Sequence, residues 1–123
     1  MGVHLTKDSF DLGIVVADLE KALAFYRDTL GLTPHSVRSD FVSFKWEGVR
    51  LGIGVHSEVK GPTREPNRIM VNLGVDDIHK AYDELASKGV RFVRVPEEEH
   101  WGGWVGTFSD PDGNTVQLMQ LSP

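Results

Sequence analysis

Residues 14–32 read IVVADLEKALAFYRDTLGL and residues 73–90 read LGVDDIHKAYDELASKGV, and the second stretch can be laid on the first. Asp18-Leu19-Glu20-Lys21-Ala22 then falls on Asp77-Ile78-His79-Lys80-Ala81 with an offset of 59, which slips to 58 by Gly31 and Gly89. A repeat of this period is one supersecondary unit used twice, because neither copy can bury its apolar face alone. The chain therefore reads as a tandem duplication.

Each copy has the same grammar. Apolar residues before Asp18 and Asp77 form a strand, the Asp caps a helix by accepting from its free amides, and a glycine closes that helix in left-handed geometry. Leu19, Ala22, Leu23, Tyr26 and Leu30 make one apolar stripe at steps of three and four, and Ile78, Ala81, Tyr82, Leu85 and Ala86 make the other. Three short β-type runs follow each helix: Thr33 to Arg38, Phe41 to Trp46 and Val49 to Val55, then Val90 to Val95, Trp104 to Ser109 and Thr115 to Gln120. Asp110-Pro111-Asp112-Gly113-Asn114 joins the last two as a hairpin turn, since Pro presets one backbone angle while Gly and Asn tolerate positive φ. The fold expected is α+β: tandem βαβββ modules forming an eight-stranded curved sheet cup with helices outside. Module one spans about residues 10–56, a polar linker about 57–67 and module two about 68–121, all within a single domain.

Composition narrows the function classes. With 123 residues, 40% apolar and 25% charged, the chain is of a size and kind that buries a core without staples. It has no cysteine, so disulfides, thiolate metal sites and cysteine nucleophiles are excluded, and a reducing cytoplasm is the expected compartment. No apolar run reaches the length of a membrane span, and the first eight residues lack the pattern of a secretory signal. A net charge of −5 argues against nucleic-acid partners, which need a basic face, and suits a neutral or cationic small ligand.

Val16-Ala17-Asp18-Leu19-Glu20-Lys21-Ala22-Leu23-Ala24-Phe25-Tyr26 with Leu30-Gly31-Leu32, together with Asp110-Pro111-Asp112-Gly113-Asn114, resembles the opening and closing signatures of vicinal oxygen chelate proteins. That superfamily joins glyoxalase I, extradiol dioxygenases, fosfomycin resistance enzymes and bleomycin resistance proteins, so the resemblance implies the fold but not one chemistry. In its metal-using members four inward residues clasp a divalent ion, two from each module, and they are usually His, Gln and Glu. Carried over by spacing from Asp18 and Asp76, those positions are Asp11, Gly52, Met70 and Gln117. Glycine offers no donor and a thioether suits soft copper, so only Asp11 and Gln117 resemble ligands for a hard or borderline ion. No cofactor is expected at the usual place.

Strand alternation puts Gly13, Val15, Arg50, Gly54, Asn72, Gly74, Thr115 and Met119 on the same inward faces as those four positions. The opposite faces, Leu12, Ile14, Val16, Leu51, Ile53, Val55, Val71, Leu73, Val75, Val116 and Leu118, are apolar and suit helix packing. Glycines that remove volume and a few polar groups describe a small-molecule pocket. The competing view is that strand glycines mark close packing and that Asp11 and Arg50 only neutralise each other.

Three tryptophans and five histidines need the same weighing. Trp46 and Trp104 suit core or interface filling; Trp101, in the stretch Glu97-Glu98-Glu99-His100-Trp101-Gly102-Gly103-Trp104, is placed where the superfamily often carries Trp-Gly beside the cavity mouth. The three glutamates read as a solvated acidic rim able to attract a cationic ligand. His4, His35, His56, His79 and His100 show no metal-ligand spacing, and His100 is the weak candidate for a general base.

The expectation is a metal-independent small-molecule-binding protein of the glyoxalase/bleomycin resistance type. It would be a homodimer that sequesters an aromatic or cationic compound, with Asp11, Arg50, Asn72 and Gln117 orienting the ligand and Trp101 covering it. The alternative is a lyase or dioxygenase whose divalent metal is held unconventionally, by Asp11 with Gln117, His100 or a residue of a second subunit. A third possibility is a regulatory module with a vestigial pocket.

Overall fold

A computed structural model describes residues 10–121. The chain divides into two compact units between Gly61 and Pro62.

The first module runs β1 (Phe10–Val15), a helix, β2 (Ser36–Val37), β3 (Phe41–Trp46) and β4 (Val49–Gly54). Its sheet has the order β1-β4-β3-β2, with β1 parallel to β4 and the other pairs antiparallel. The second module repeats the plan with β5 (Val71–Gly74), α2 (Ile78–Ser87), β6 (Phe92–Glu98), β7 (Trp104–Ser109) and β8 (Thr115–Gln120). Its order is β5-β8-β7-β6, again with one parallel pair. Both sheets are open, and the βαβββ duplication is present in full.

The capping aspartates behave alike to the detail of backbone angles. Asp18 sits at φ −135°, ψ 108° and accepts from the Lys21 amide; Asp77 sits at φ −136°, ψ 97° and accepts from the Lys80 amide. Such a cap stabilises a helix start by about 1 kcal/mol. Gly31 (φ 79°) and Gly89 (φ 92°) end the helices in the left-handed region, where a side chain is strained.

The one-residue slip between the copies also has a structural cause. The path from Asp18 to Gly31 is one residue longer than that from Asp77 to Gly89, and the first helix absorbs the extra residue. After α1 (Leu19–Leu23) it widens into a π-helical turn over Ala24–Thr29, where the Leu30 amide donates to the Phe25 carbonyl at 2.8 Å. Without that turn Tyr26, which is fully buried, and Gly31 would not both keep their places.

Each helix covers one face of its own sheet. Ala22 and Tyr26 are buried with Val42, Phe44, Leu51 and Ile53 in the first module; Ile78 and Leu85 are buried with Val71, Phe108, Val116 and Leu118 in the second. Tyr82 meets Phe92 edge-on at a centroid separation of 4.7 Å, and Phe92 meets Phe108 at a tilt of 56° and 4.9 Å. The apolar alternation expected for the helix side holds except at Val55, which lies past the end of β4 and is exposed, and Ala86 of α2 is likewise exposed.

Three boundaries differ from the sequence reading. The run from Thr33 forms a strand only at Ser36–Val37, and the run from Val90 begins at Phe92. The latter continues through Pro96 to Glu98, because β6 is an edge strand with irregular register at Arg94 and Glu97, where a residue without an N–H removes no essential ladder bond. The polar stretch after His56 holds no strand or helix, and its second half is fastened to the second module. The Thr63 amide donates to the Asp112 carbonyl at 2.8 Å, and the Thr115 hydroxyl donates to Asn67 Oδ1 at 2.6 Å. Among the described residues no helix is long and apolar enough to cross a membrane.

Candidate functional site

The helix-free face of each sheet is set by register. In the first module Asp11, Arg50 and Lys45 lie side by side across β1, β4 and β3. The next row is Gly13, Gly52, Ser43 and Ser36, and beyond it come Val15, Gly54 and Phe41. In the second module the row across β5, β8, β7 and β6 is Asn72, Gln117, Thr107 and Arg94, followed by Gly74, Met119, Val105 and Glu97.

The glycines of these faces are not equivalent. A Cβ placed on Gly52 would lie 2.8 Å from Phe41 Cε2, and one on Gly54 would lie 3.0 Å from the Asp40 carbonyl oxygen and 3.3 Å from the Phe41 ring. The Phe41 ring thus lies flat along β4, in space that any other residue at 52 would claim. Gly13 and Gly74 have no heavy atom within 4 Å of such a Cβ, so the sheet is open above them. Close packing explains Gly52 and Gly54; accessible floor explains Gly13 and Gly74.

The second module's row is a hydrogen-bonded chain. Thr107 Oγ1 donates to Gln117 Oε1 at 3.0 Å, and Gln117 Nε2 donates to Asn72 Oδ1 at 3.0 Å. Gln117 therefore has its carbonyl and its amide nitrogen engaged, while the Asn72 amide nitrogen stays available as a donor on an exposed residue. At the far end Arg94 binds Glu97 at 3.2 Å and Glu99 at 2.6 Å. The hydrogen bond that it donates to Glu99 foremost, then the one to Glu97, pushes the Arg94 guanidinium pKa up. Two of the three glutamates of the acidic stretch thus share one cation, while Glu97 and Glu98 stay exposed.

Trp101 and His100 occupy the turn between β6 and β7, in which the Glu99 amide donates to the Gly103 carbonyl at 2.7 Å and the Gly102 amide to the Glu99 carbonyl at 2.9 Å. The Trp101 ring rests on Gly103, where a Cβ would fall 1.8 Å from its Cζ3, and 44% of the residue is exposed. His100 is exposed, and among the described residues no carboxylate orients its ring. Trp104 turns to the helix side, its ring 4.8 Å from that of His79. His4 lies outside the described residues.

An open groove of about 380 Å³ runs along the ends of β5 and β8, lined by Gly74, Val75, Asp76, Met119, Gln120 and Leu121. It includes two residues of the expected inward set but none of Asp11, Arg50, Asn72, Trp101 or Gln117. The structure brings Asn72 and Gln117 into contact and sets Asp11 beside Arg50; Trp101 and His100 stand apart at a hairpin tip. Thr115, expected on the inward face as a free polar group, is buried with its hydroxyl spent on Asn67.

The four positions at which metal-using proteins of this kind place their ligands do not fit a divalent ion. Gly52 has no donor and an aromatic ring over it. Met70 precedes β5, is exposed and offers only a thioether, and Gln117 is committed to Thr107 and Asn72. Of the four positions Asp11 alone carries a carboxylate, and among the described residues it forms no ion pair. Thr107, Arg94, Lys45 and Phe41 were not singled out by the sequence reading. Counting back through the two hairpin turns, from Thr115 to Ser109 and from Val49 to Trp46, would have paired Thr107 with Gln117 and Lys45 with Arg50.

Comparison with known proteins agrees with the architecture. A probable lactoylglutathione lyase from Synechocystis is 32% identical over 121 residues, covering 89% of this chain and 92% of that protein. The uncharacterised Bacillus subtilis protein YraH is 25% identical, covering 88% and 94%. A solved superfamily member from Sphaerobacter thermophilus superposes with a TM-score of 0.72 at 28% identity, over 97% of this chain and 98% of that one. The sequence profile of the Glyoxalase/Bleomycin resistance protein/Dioxygenase superfamily matches residues 4–118, and the chain belongs to that superfamily.

Proposed function

We propose that the protein binds a small aromatic molecule on its helix-free sheet faces without a metal at the superfamily's usual positions. The observation that carries this is the Phe41 ring over Gly52, which removes a ligand position and offers a flat apolar surface in its place. Asn72 supplies a free amide donor in the second module, held in place through Gln117 and Thr107. Asp11 and Arg50 are the polar groups of the first module, and Trp101, mounted on Gly103, presents a second aromatic face. Sequestration of a drug or metabolite, by a homodimer in a reducing compartment, is the role this proposal favours.

Tryptophan-fluorescence titration against a panel of aromatic compounds that includes bleomycin tests it. Saturable quenching that survives chelator and is weakened in Phe41→Ala supports the proposal; quenching that requires an added divalent ion overturns it.

One observation favours a second reading. The 32% identical Synechocystis relative is described as a probable lactoylglutathione lyase, so lyase activity with an unconventionally held metal, using Asp11 with Gln117 or His100, is the competing function. It predicts formation of lactoylglutathione from methylglyoxal and glutathione on addition of zinc or nickel, with loss in Asp11→Ala.

A further inference from the structure

Arg50 of β4 has Lys45 opposite it on β3 and Asp11 opposite it on β1. Like charges facing each other across strands destabilise a sheet. An acidic chain with 13 basic residues against 18 acidic ones has no compositional need to place two cations together. Nor does Asp11 resolve the conflict. Among the described residues neither Arg50 nor Lys45 forms an ion pair, and Asp11 Oδ1 leans toward Gly52, 3.8 Å from where a Cβ would stand.

The surroundings of the pair are those of a site. Gly13 leaves the floor beside it open, and the Phe41 ring lies on Gly52 one row along. Arg50 and Gly52 are two residue steps apart on the strand, about 7 Å, which a one-ring molecule with a short substituent spans. Arg presents a planar fork of donors to a carboxylate or phosphate, and Lys adds a mobile point charge.

We propose that this face of the first module takes a small aromatic molecule bearing an anionic oxygen group, a carboxylate or a phosphate, with the anion between Arg50 and Lys45 and the ring against Phe41. The proposal rests on the aromatic-binding function above and fixes the ligand's charge, opposite in sign to the one that the acidic composition suggests.

Titration of ¹⁵N-labelled protein at low ionic strength with benzoate, phenyl phosphate, benzamide and benzylamine tests it. At least one of the two anions is expected to bind about tenfold more tightly than benzamide, the strength of a charge-assisted contact, and benzylamine more weakly than benzamide. Lys45→Gln combined with Arg50→Gln should reduce the anion preference to about twofold while the spectrum remains that of a folded protein. Which anion binds better identifies the group. Benzylamine binding as well as the anions, or an anion preference untouched by the double substitution, overturns the proposal. Binding of benzamide with no anion preference overturns it while leaving the aromatic-binding function standing; binding of none of the four overturns both.

Discussion

In the first module the row across β1, β4, β3 and β2 is Gly13, Gly52, Ser43 and Ser36; in the second, the row at the same place across β5, β8, β7 and β6 is Asn72, Gln117, Thr107 and Arg94. The scaffolds behind the two rows are nearly the same. Phe44 and Phe108 occupy matching positions on the helix side and are 1% and 0% exposed, and the two capping aspartates share their backbone angles. What differs is confined to the open faces. One holds two glycines, with a phenyl ring laid on Gly52, and a serine pair, Ser36 and Ser43, hydrogen-bonded at 2.9 Å; the other is a continuous chain of longer polar side chains. A duplicated fold keeps the core that each copy needs for stability and is free to diverge on the face that stability does not use.

If the helix sides are equivalent, Phe44→Ala and Phe108→Ala should each cost about 3–5 kcal/mol of unfolding free energy in denaturant melts, as large-to-small changes at fully buried sites do. A much smaller cost at one of them would break the equivalence. The glycine rows should then separate. Gly52→Ala is expected to cost about 1–3 kcal/mol through overpacking against Phe41, whereas Gly13→Ala and Gly74→Ala should stay within about 0.5 kcal/mol. In a Phe41→Ala background the Gly52→Ala cost should largely vanish, because the two changes share one contact.

The polar row is next in size. Gln117→Ala removes two hydrogen bonds and should cost about 1–2 kcal/mol, with the backbone amide signals of Asn72 and Thr107 shifting together. Arg94→Gln should cost no more than about 1 kcal/mol, an effect that fades in high salt, since the ion pairs it breaks are partly open to solvent.

Much of this was legible from the chain. Asp18 and Asp77 with Gly31 and Gly89 located both helices, whereas the slip in their spacing did not say where the extra residue would go, and the π-helical turn takes it up. Alternation assigned nearly every strand residue to its correct face. The filling of Gly52 was not legible, since it depends on a ring leaning sideways from the next strand, and alternation fixes the side of a sheet but not the lean of a side chain. The pairing of Glu97 and Glu99 with Arg94 was not legible for a related reason, since it lies where the register of β6 is irregular. Pro96 ended the strand too early on paper because its missing N–H matters little at a sheet edge.

The central claim is that the four inherited ligand positions no longer hold a metal. Purified protein incubated with zinc, nickel, manganese and ferrous iron, desalted and analysed for metal content puts it to the most direct test. The account predicts well under about 0.1 equivalent of each ion per chain, unchanged in Asp11→Ala and Gln117→Ala. Retention of about one equivalent of any of these ions, lost in either variant, would contradict it.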